Sequence, residues 1–407
     1  MRAIVDGLKW LGVDWDEGPF FQMQRLARYK EAAERLIEAG HAYYDYMPKE
    51  ALDALRAQQL ARGEKPRYDR AVGQKYRGQG PAPVRFRTPQ EGTVGWNDLV
   101  KGPIEFPNAE LDDLVLLRAD GVPTYNFGVV VDDLDMAITH VIRGDDHVNN
   151  TPRQIHIFRA LEKPLPEFGH VPMILGADGE RLSKRHGATS VLEYQAMGYL
   201  PEALVNYLAR LGWSHGDAEV FSKKEFVEWF DLAHVSRSAA QYNPEKLAWL
   251  NQQHLKNASD RHLALLIEPE LRKRGAQLHG GNEGGPPLER VIALLKERAA
   301  TLQQLADEAM LFYAAEVDPG TPDWGPEVAK ALGTLKARLA STRWERAALN
   351  EVVKEVVKTS GLKMPQLAMP LRRIVTGRTQ TPSIDAVLEL IGRETVLARL
   401  SRHLGGG

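Results

Sequence analysis

The feature that most constrains the fold is a succession of strand, helix and strand near the middle of the chain. Short runs rich in β-branched residues occupy residues 129–131 and 137–142, a helical pattern follows at about residues 153–161, and an apolar run covers residues 171–175. Two strands connected through a helix lie parallel in one sheet, because the connection must cross from one end of the sheet to the other. The pattern therefore predicts a βαβ unit and an α/β domain.

The segments on either side of this unit differ in character. Before it, apolar residues recur at helical spacing over about 24–39 and 52–62, whereas residues 66–124 are rich in proline and glycine and contain short strand-like runs. After it, nearly everything from Pro201 onward has helical periodicity. At roughly 100–200 residues per domain, a chain of 407 residues is expected to form several domains. The fold class is therefore α/β plus all-α, with a small mixed region between.

Composition excludes several classes of protein. The chain contains no cysteine, which rules out disulfides and cysteine-ligated zinc sites. No run approaches the roughly 18 apolar residues of a membrane span, and the first residues lack the apolar core of a signal peptide, so we expect a cytoplasmic protein. The formal net charge of −2 does not indicate a small basic nucleic-acid-binding domain, although a large protein can confine positive charge to one face.

The clearest sign of chemistry is a basic loop at residues 178–187, just after the last predicted strand. Arg181, Lys184 and Arg185 place three positive charges close together, and Ser183 adds a hydroxyl. Ligands of open α/β sheets bind beyond the carboxyl ends of the strands, and cations there stabilise charge that develops on a phosphate as its bond breaks. The simpler alternative is a solvated basic turn, since short motifs of this kind also occur by chance.

Residues 181–185 resemble the KMSKS signature of class I aminoacyl-tRNA synthetases, with Arg181 and Leu182 in place of the opening lysine and methionine. Longer segments are similar to the bacterial glutamyl-tRNA synthetases and follow in the same order. These segments cover residues 123–133, 139–154, 198–204, 211–214 and 369–377. The resemblance extends from residue 2 to about residue 399, which makes it far more specific than any single motif.

The resemblance implies an incomplete class I Rossmann-type nucleotide-binding domain, an inserted α+β domain that binds the tRNA acceptor end, and a helical half that binds the anticodon. The implied divisions are 1–41 for a remnant of the first half of the catalytic domain, 42–124 for the insertion, 125–192 for the second half with the KMSKS loop, 193–260 for a stem-contact helical domain, and 261–407 for the α-helical anticodon-binding domain. The implied reaction is ATP-dependent activation of L-glutamate to glutamyl-adenylate and transfer to the 3′ end of tRNA-Glu. Mg²⁺ would accompany the ATP, and we expect a monomer.

The resemblance also assigns roles in a glutamate pocket. Arg143 would pair with the side-chain carboxylate of the substrate, because a planar guanidinium can hold a carboxylate at two points. The alternative for Arg143 is a structural ion pair with Asp145 or Asp146. Tyr125 would line the pocket, and its alternative is an ordinary half-buried aromatic residue.

The nucleotide side of the site is expected to combine the loop with two segments near the sheet. Lys184 would contact the ATP phosphates and act in catalysis together with Arg181 and Ser183. The wider ATP-binding set consists of Lys184, Arg185, Leu182, Asp146, His147 and Ile174. Taken alone, His147 would be a surface histidine rather than a catalyst.

Two departures from the family pattern lead to further expectations. The stretch where some relatives bind zinc contains residues 44–47 and 69–72 and offers no thiol, so we predict no structural zinc. The family normally begins with a strand and a HIGH-type motif that holds ATP, and no such motif occurs near Met1. We therefore expect a start truncated before that segment, or a naturally shortened paralogue that binds tRNA without activating glutamate. The sequence leaves open whether tRNA-Gln is also a substrate.

Overall fold

The computed structural model describes residues 2–183, 190–276, 278, 285–314, 316–320 and 324–404. The chain opens with helix α1 (Arg2–Trp10) and helix α2 (Leu26–Glu38). Helix α2 buries Tyr29, Ala33 and Leu36. Their spacing of four and three residues places them on one helical face, which is why this segment packs as an amphipathic helix.

An α+β region follows, and it contains the strand-like runs predicted from the sequence. Its elements are β1 (Ala42–Tyr44), α3 (Lys49–Ala61), α4 (Arg70–Gly73), β2 (Val84–Phe86), β3 (Thr93–Asp98), β4 (Gly102–Pro107) and β5 (Val115–Leu117). Strands β1, β2 and β5 form one antiparallel sheet, whereas β3 and β4 form a separate hairpin. The hairpin packs against the parallel strand pair of the following α/β domain, which contains the candidate site.

The two segments where some relatives bind zinc make other contacts in this protein. Asp45 is buried and accepts hydrogen bonds from Arg85 at 2.5 Å and from the Tyr68 hydroxyl at 3.0 Å. Asp69 caps α4 by accepting from the backbone N–H of Val72 at 3.1 Å. Within the described residues no group of three His, Asp or Glu side chains is arranged to hold a metal ion. The absence of a structural zinc stays a prediction.

The predicted βαβ unit is present, but its second strand lies earlier than predicted, at residues 167–171, whereas the predicted run 171–175 contains a separate two-residue strand at Ile174–Leu175. The elements of the unit, with the helix that precedes them, are α5 (Tyr125–Asp135), β6 (His140–Gly144), α6 (Thr151–Ala160) and β7 (Glu167–Val171). Strands β6 and β7 pair in parallel, and the register sets Arg143 opposite His170. Side chains directly opposite each other on neighbouring strands point to the same face of the sheet. The register therefore brings Arg143 and His170 together at the carboxyl ends of the strands.

One prediction in this region is wrong. Residues 129–131 are expected to form a strand, but they lie within helix α5. The apolar residues Phe127, Val130, Val131 and Leu134 recur at spacings of three and four, and the first three are fully buried. β-branched residues favour extended structure, but burial of one helical face outweighs that preference here.

Two short strands and several helices continue the chain beyond the βαβ unit. They are β8 (Ile174–Leu175), α7 (Val191–Ala196), α8 (Pro201–Gly212), α9 (Lys223–Trp229), β9 (Ala240–Gln241) and α10 (Pro244–Asn257). Strands β8 and β9 pair in parallel, with Ile174 opposite Ala240. Helix α1 packs against α7, where Gly7 faces Val191. The first helix of the chain is therefore part of this helical region's packing.

The remainder of the described chain is helical, as predicted. Its elements are α11 (Asp260–Lys273), α12 (Leu288–Leu295), α13 (Leu302–Tyr313), α14 (Pro326–Ser341), α15 (Arg346–Ser360), α16 (Met364–Thr376), α17 (Ile384–Ile391) and α18 (Arg393–Leu404). Among the described helices, none combines the length and the apolar composition needed to cross a membrane.

A buried asparagine joins the two helical regions. Asn251 on α10 is fully buried, its Oδ1 accepts from the backbone N–H of Leu200 at 2.8 Å, and its Nδ2 donates to the carbonyl of Ala300 at 2.6 Å. Nearby, the N–H of Leu302 donates to the carbonyl of Gly198 at 2.8 Å. The φ of Gly198 is 83° and a Cβ there would lie 2.6 Å from the Gln303 nitrogen, so only glycine fits this approach.

Candidate active site

Arg143 lies near the carboxyl end of β6 and is half-buried. Its Nε donates to Nε2 of His170 at 3.2 Å, while its Nη2 donates to Thr151 Oγ1 at 2.9 Å and to Gln154 Oε1 at 2.8 Å. Thr151 and Gln154 belong to the first turn of α6, so the crossover helix itself orients the guanidinium. The Tyr125 hydroxyl is a further partner of the guanidinium. One side of the guanidinium is thus fixed by α6 and His170, and the rest lies beside Tyr125 at the mouth of the site.

The charge of Arg143 is not neutralised by an adjacent carboxylate. Asp145 pairs with Lys101 at 2.8 Å, and Asp146 lies 3.4 Å from Arg181. In the part of the chain that the structure describes, Arg143 forms no ion pair, so a structural pair with Asp145 or Asp146 is not the arrangement observed. Burial lowers the pKa of Arg143, and the Tyr125 hydroxyl opposes that shift. A guanidinium stays charged nonetheless, and this one is suited to an anionic ligand.

Tyr125 and His147 stand at the mouth of the same site. Tyr125 is the first residue of α5 and is 51% exposed. Its hydroxyl lies 3.4 Å from Nδ1 of His147, and the two ring centroids are 5.5 Å apart. His147 also lies within hydrogen-bond distance of Asn150, at 3.1 Å. The structure therefore brings Tyr125, His147 and Arg143 together, as the resemblance implied.

The start of the basic loop folds back over β8. The N–H of Leu182 donates to the carbonyl of Ile174 at 2.9 Å, and Leu175 and Arg181 form an antiparallel bridge. This turn sets Arg181 beside Asp146, with 3.4 Å between Nη2 and Oδ2. Four residues predicted on the nucleotide side, from three separate segments of the chain, are thus neighbours.

The rest of the predicted catalytic loop is only partly described. Ser183 follows directly and is half-buried. Lys184 and Arg185 lie outside the described residues, so their roles toward ATP remain predictions.

Two buried residues of the site were not predicted from the sequence. Nδ1 of His170 lies 2.5 Å from Oδ2 of Asp98, and both side chains are fully buried. Burial by itself would raise the pKa of Asp98, but hydrogen bonds from His170 and from the backbone N–H of Lys101 lower it to about 2. Asp98 and His170 are 72 positions apart, so no local spacing links them. The one available signal was a histidine within an apolar strand.

A parallel strand pair with a cation at its carboxyl end and a helical second half agree with a class I aminoacyl-tRNA synthetase, and comparison with known families shows that class. The family model described as "tRNA synthetases class I (E and Q), catalytic domain" matches residues 1–249. The model described as "Anticodon binding domain" matches residues 261–404. Together the two models account for nearly the whole chain, in the order that the resemblance implied.

The relatives narrow the class further. A glutamate–tRNA ligase from Nitrosospira multiformis is 57% identical, with 99% of this chain and 88% of the relative covered. Another from Thiobacillus denitrificans is 58% identical, covering 99% and 87%. The crystal structure of a glutamate tRNA ligase from Elizabethkingia meningosepticum, in complex with its amino acid, superposes with a TM-score of 0.86 at 28% identity, covering 99% of this chain and 88% of that one. The chain belongs to the glutamate–tRNA ligase family.

Proposed function

We propose that this ligase divides its chemistry among the residues gathered at the carboxyl ends of β6, β7 and β8. The α-carboxylate of L-glutamate attacks the α-phosphorus of ATP, which forms glutamyl-adenylate and releases pyrophosphate. A hydroxyl of the terminal ribose of tRNA-Glu then attacks the activated carbonyl, which forms glutamyl-tRNA and releases AMP. ATP enters as its Mg²⁺ complex, so the ion comes with the substrate. The enzyme acts as a monomer in the cytoplasm.

In this proposal Arg143 holds the side-chain carboxylate of glutamate. The observation that supports it is a guanidinium that forms no ion pair among the described residues, whose Nε and Nη2 donate to neutral groups of the protein and which lies beside the Tyr125 hydroxyl. A carboxylate can pair with the charge of the guanidinium, whereas the amide of glutamine can only accept a hydrogen bond. Tyr125 forms the neighbouring wall.

ATP binds on the side of Asp146 and His147 that is away from Arg143. Arg181 and Asp146 close this side through their 3.4 Å contact, and the backbone at Ile174 holds the start of the loop. In this proposal Ser183, Lys184 and Arg185 bind the phosphates. Positive charge directed at the leaving pyrophosphate stabilises the negative charge that it acquires in the transition state.

The tRNA spans the remaining domains. Residues 42–124 contact the acceptor end, 193–260 the stem, and 261–404 the anticodon. In the last of these, a cavity of about 540 Å³ is lined by Met364, Met369 and Arg372, among others. Within the described residues, Nε of Arg372 is buried without a hydrogen-bond partner. An unsatisfied buried donor in a cavity lined by both apolar and polar side chains is suited to the edge of a nucleotide base, because base edges supply acceptors at fixed positions.

The kinetics of tRNA-Glu charging by two variants test the proposed division of roles, in which Arg143 binds glutamate and Lys184 binds the ATP phosphates. Arg143→Gln should raise KM for glutamate by roughly 30- to several thousandfold, since truncating one partner of a desolvated charge pair costs about 2–5 kcal/mol, and should leave KM for ATP unchanged. Lys184→Ala should instead lower kcat with little effect on KM for glutamate, because its interaction strengthens in the transition state.

A matched control is Arg159→Gln, which removes the same charge from an exposed position on α6. Its kinetic constants should equal those of the unmodified enzyme. An unchanged KM for glutamate in Arg143→Gln would show that the substrate carboxylate is held elsewhere.

A further inference from the structure

Asp98, His170 and Arg143 form a line of direct contacts that runs from the protein interior to the glutamate pocket. Oδ2 of Asp98 is 2.5 Å from Nδ1 of His170, and Nε2 of His170 is 3.2 Å from Nε of Arg143. Asp98 and His170 are fully buried, whereas Arg143 is half-buried at the site. The line therefore connects a fixed anchor to the residue that faces the substrate.

The partners at each end determine where the histidine proton lies. A guanidinium can only donate, and the Thr151 hydroxyl, 3.1 Å from Nε2 of His170, already accepts from Arg143 and can donate its own proton, so Nε2 presents its lone pair to both. Nδ1 must then carry the proton and donate it to the Asp98 carboxylate, which agrees with the 2.5 Å between Nδ1 and Oδ2. Burial lowers the pKa of the His170 ring, which keeps the ring neutral and preserves the acceptor at Nε2.

Asp98 itself is anchored by the backbone. Its Oδ1 accepts from the backbone N–H groups of Val100, Lys101 and His170 at 3.0–3.1 Å. The adjacent N–H of Leu99 donates to the carbonyl of Phe168 on β7 at 2.8 Å. Because Asp98 ends strand β3, the anchor of this line is supplied by the 42–124 region rather than by the parallel sheet.

We propose that Asp98 and His170 are positioning residues that set the orientation of the Arg143 guanidinium for the glutamate carboxylate. The inference rests on the proposed role of Arg143 in binding that carboxylate. A bidentate contact requires the plane of the guanidinium to match the carboxylate, so an acceptor at Nε fixes the remaining rotation of the side chain. Asp98 fixes the ring that supplies this acceptor.

Two substitutions of His170 separate positioning from simple structural support. His170→Asn places an amide N–H near the former Nδ1 and can keep the bond to Asp98, but it ends short of Arg143. His170→Gln reaches the former Nε2 position with a carbonyl oxygen and can accept from Arg143, but it gives up the bond to Asp98. A purely structural histidine would tolerate the first substitution at least as well as the second.

Steady-state charging of tRNA-Glu measures the outcome. His170→Asn should raise KM for glutamate by about ten- to a hundredfold, the value of one hydrogen bond to a charged group, with KM for ATP unchanged. His170→Gln should retain most of the affinity for glutamate. The control is His156→Gln, which alters another buried histidine on α6 that contacts Asn108 rather than Arg143 and should leave both KM values unchanged.

A spectroscopic measurement tests the same geometry without turnover. In enzyme labelled with ¹⁵N-histidine, the signal lost in His170→Gln identifies His170, and its nitrogen shifts should show a protonated Nδ1 and an unprotonated Nε2. Asp98→Asn should shift this population toward protonated Nε2, because an amide whose oxygen still accepts from the three backbone N–H groups turns its NH2 toward Nδ1, which must then accept.

The results that overturn the inference are distinct from those that overturn the proposed function. Equal increases of KM for glutamate in His170→Asn and His170→Gln, no increase in His170→Asn, or a protonated Nε2 in the unmodified enzyme would each refute positioning through His170. An unaffected KM in Arg143→Gln would refute the role of Arg143 instead.

Discussion

His156 offers a quantitative test of how the catalytic domain responds to acid. The side chain lies on α6, is 6% exposed, and its Nε2 is 2.8 Å from Oδ1 of Asn108. Burial, with a smaller contribution from the charge of Arg159, lowers the pKa of His156 to about 4. In the unfolded chain the same group titrates at its ordinary value of about 6.5.

The sign and size of the effect follow from these two values. Between pH 6.5 and pH 4 the unfolded chain binds a proton that the folded chain does not, so the free energy of unfolding decreases as the pH falls through this window. At pH 5.0 the decrease relative to pH 7.5 is about 2 kcal/mol for this one group. His156→Gln retains a side-chain N–H for Asn108 but cannot titrate, so this contribution should vanish.

The assay is urea denaturation of both proteins at pH 7.5 and pH 5.0, followed by the fluorescence of the tryptophans. All other titrating groups are shared, so the pH-dependent loss of unfolding free energy should be about 2 kcal/mol smaller in His156→Gln. Identical losses in the two proteins would mean that His156 is not held neutral by burial, and the reasoning would be refuted.

Two further substitutions probe the helical half. Asn251→Ala should lower the free energy of unfolding by about 2–5 kcal/mol, because it leaves a buried N–H and a buried carbonyl without partners. Urea denaturation measures this, and Gln252→Ala, at the half-buried neighbouring position whose amide makes one long bond of 3.4 Å, should cost far less. Arg372→Ala should raise KM for tRNA-Glu by about tenfold without changing KM for glutamate in charging assays. An unchanged KM for the tRNA would exclude the Arg372 cavity from anticodon binding.

The sequence predicted those parts of the fold that depend on local periodicity. The first strand and the helix of the βαβ unit, strands β2, β3 and β5, and the helical half lie close to where the sequence pattern predicted them, whereas the second strand of the unit lies at residues 167–171 instead of 171–175. The three valines at 129–131 lie in a helix rather than the predicted strand, because the local preference of β-branched residues for extended structure is outweighed by burial of the helical face formed by Phe127, Val130 and Val131.

The candidate site was predictable to the extent that its residues lie in recognisable motifs. Arg143 and Tyr125 were found through segments similar to the glutamyl enzymes, and the structure places them side by side. Asp98 and His170 were not predicted because they are distant in the sequence and come into contact only when the β3–β4 hairpin packs against β7. Residues that act through another residue leave no spacing in the sequence that would identify them.

The docking of the β3–β4 hairpin has a consequence for anyone who exchanges parts among these enzymes. Residues 42–124 form a continuous segment, which suggests that it could be shortened, or exchanged for the equivalent segment of a relative in order to change which tRNA acceptor end is preferred. The N–H of Leu99 bonds to the carbonyl of Phe168, and Lys101 pairs with Asp145, so the graft boundary passes through the candidate site. A chimaera must therefore carry the tip of the hairpin together with the sheet on which it rests.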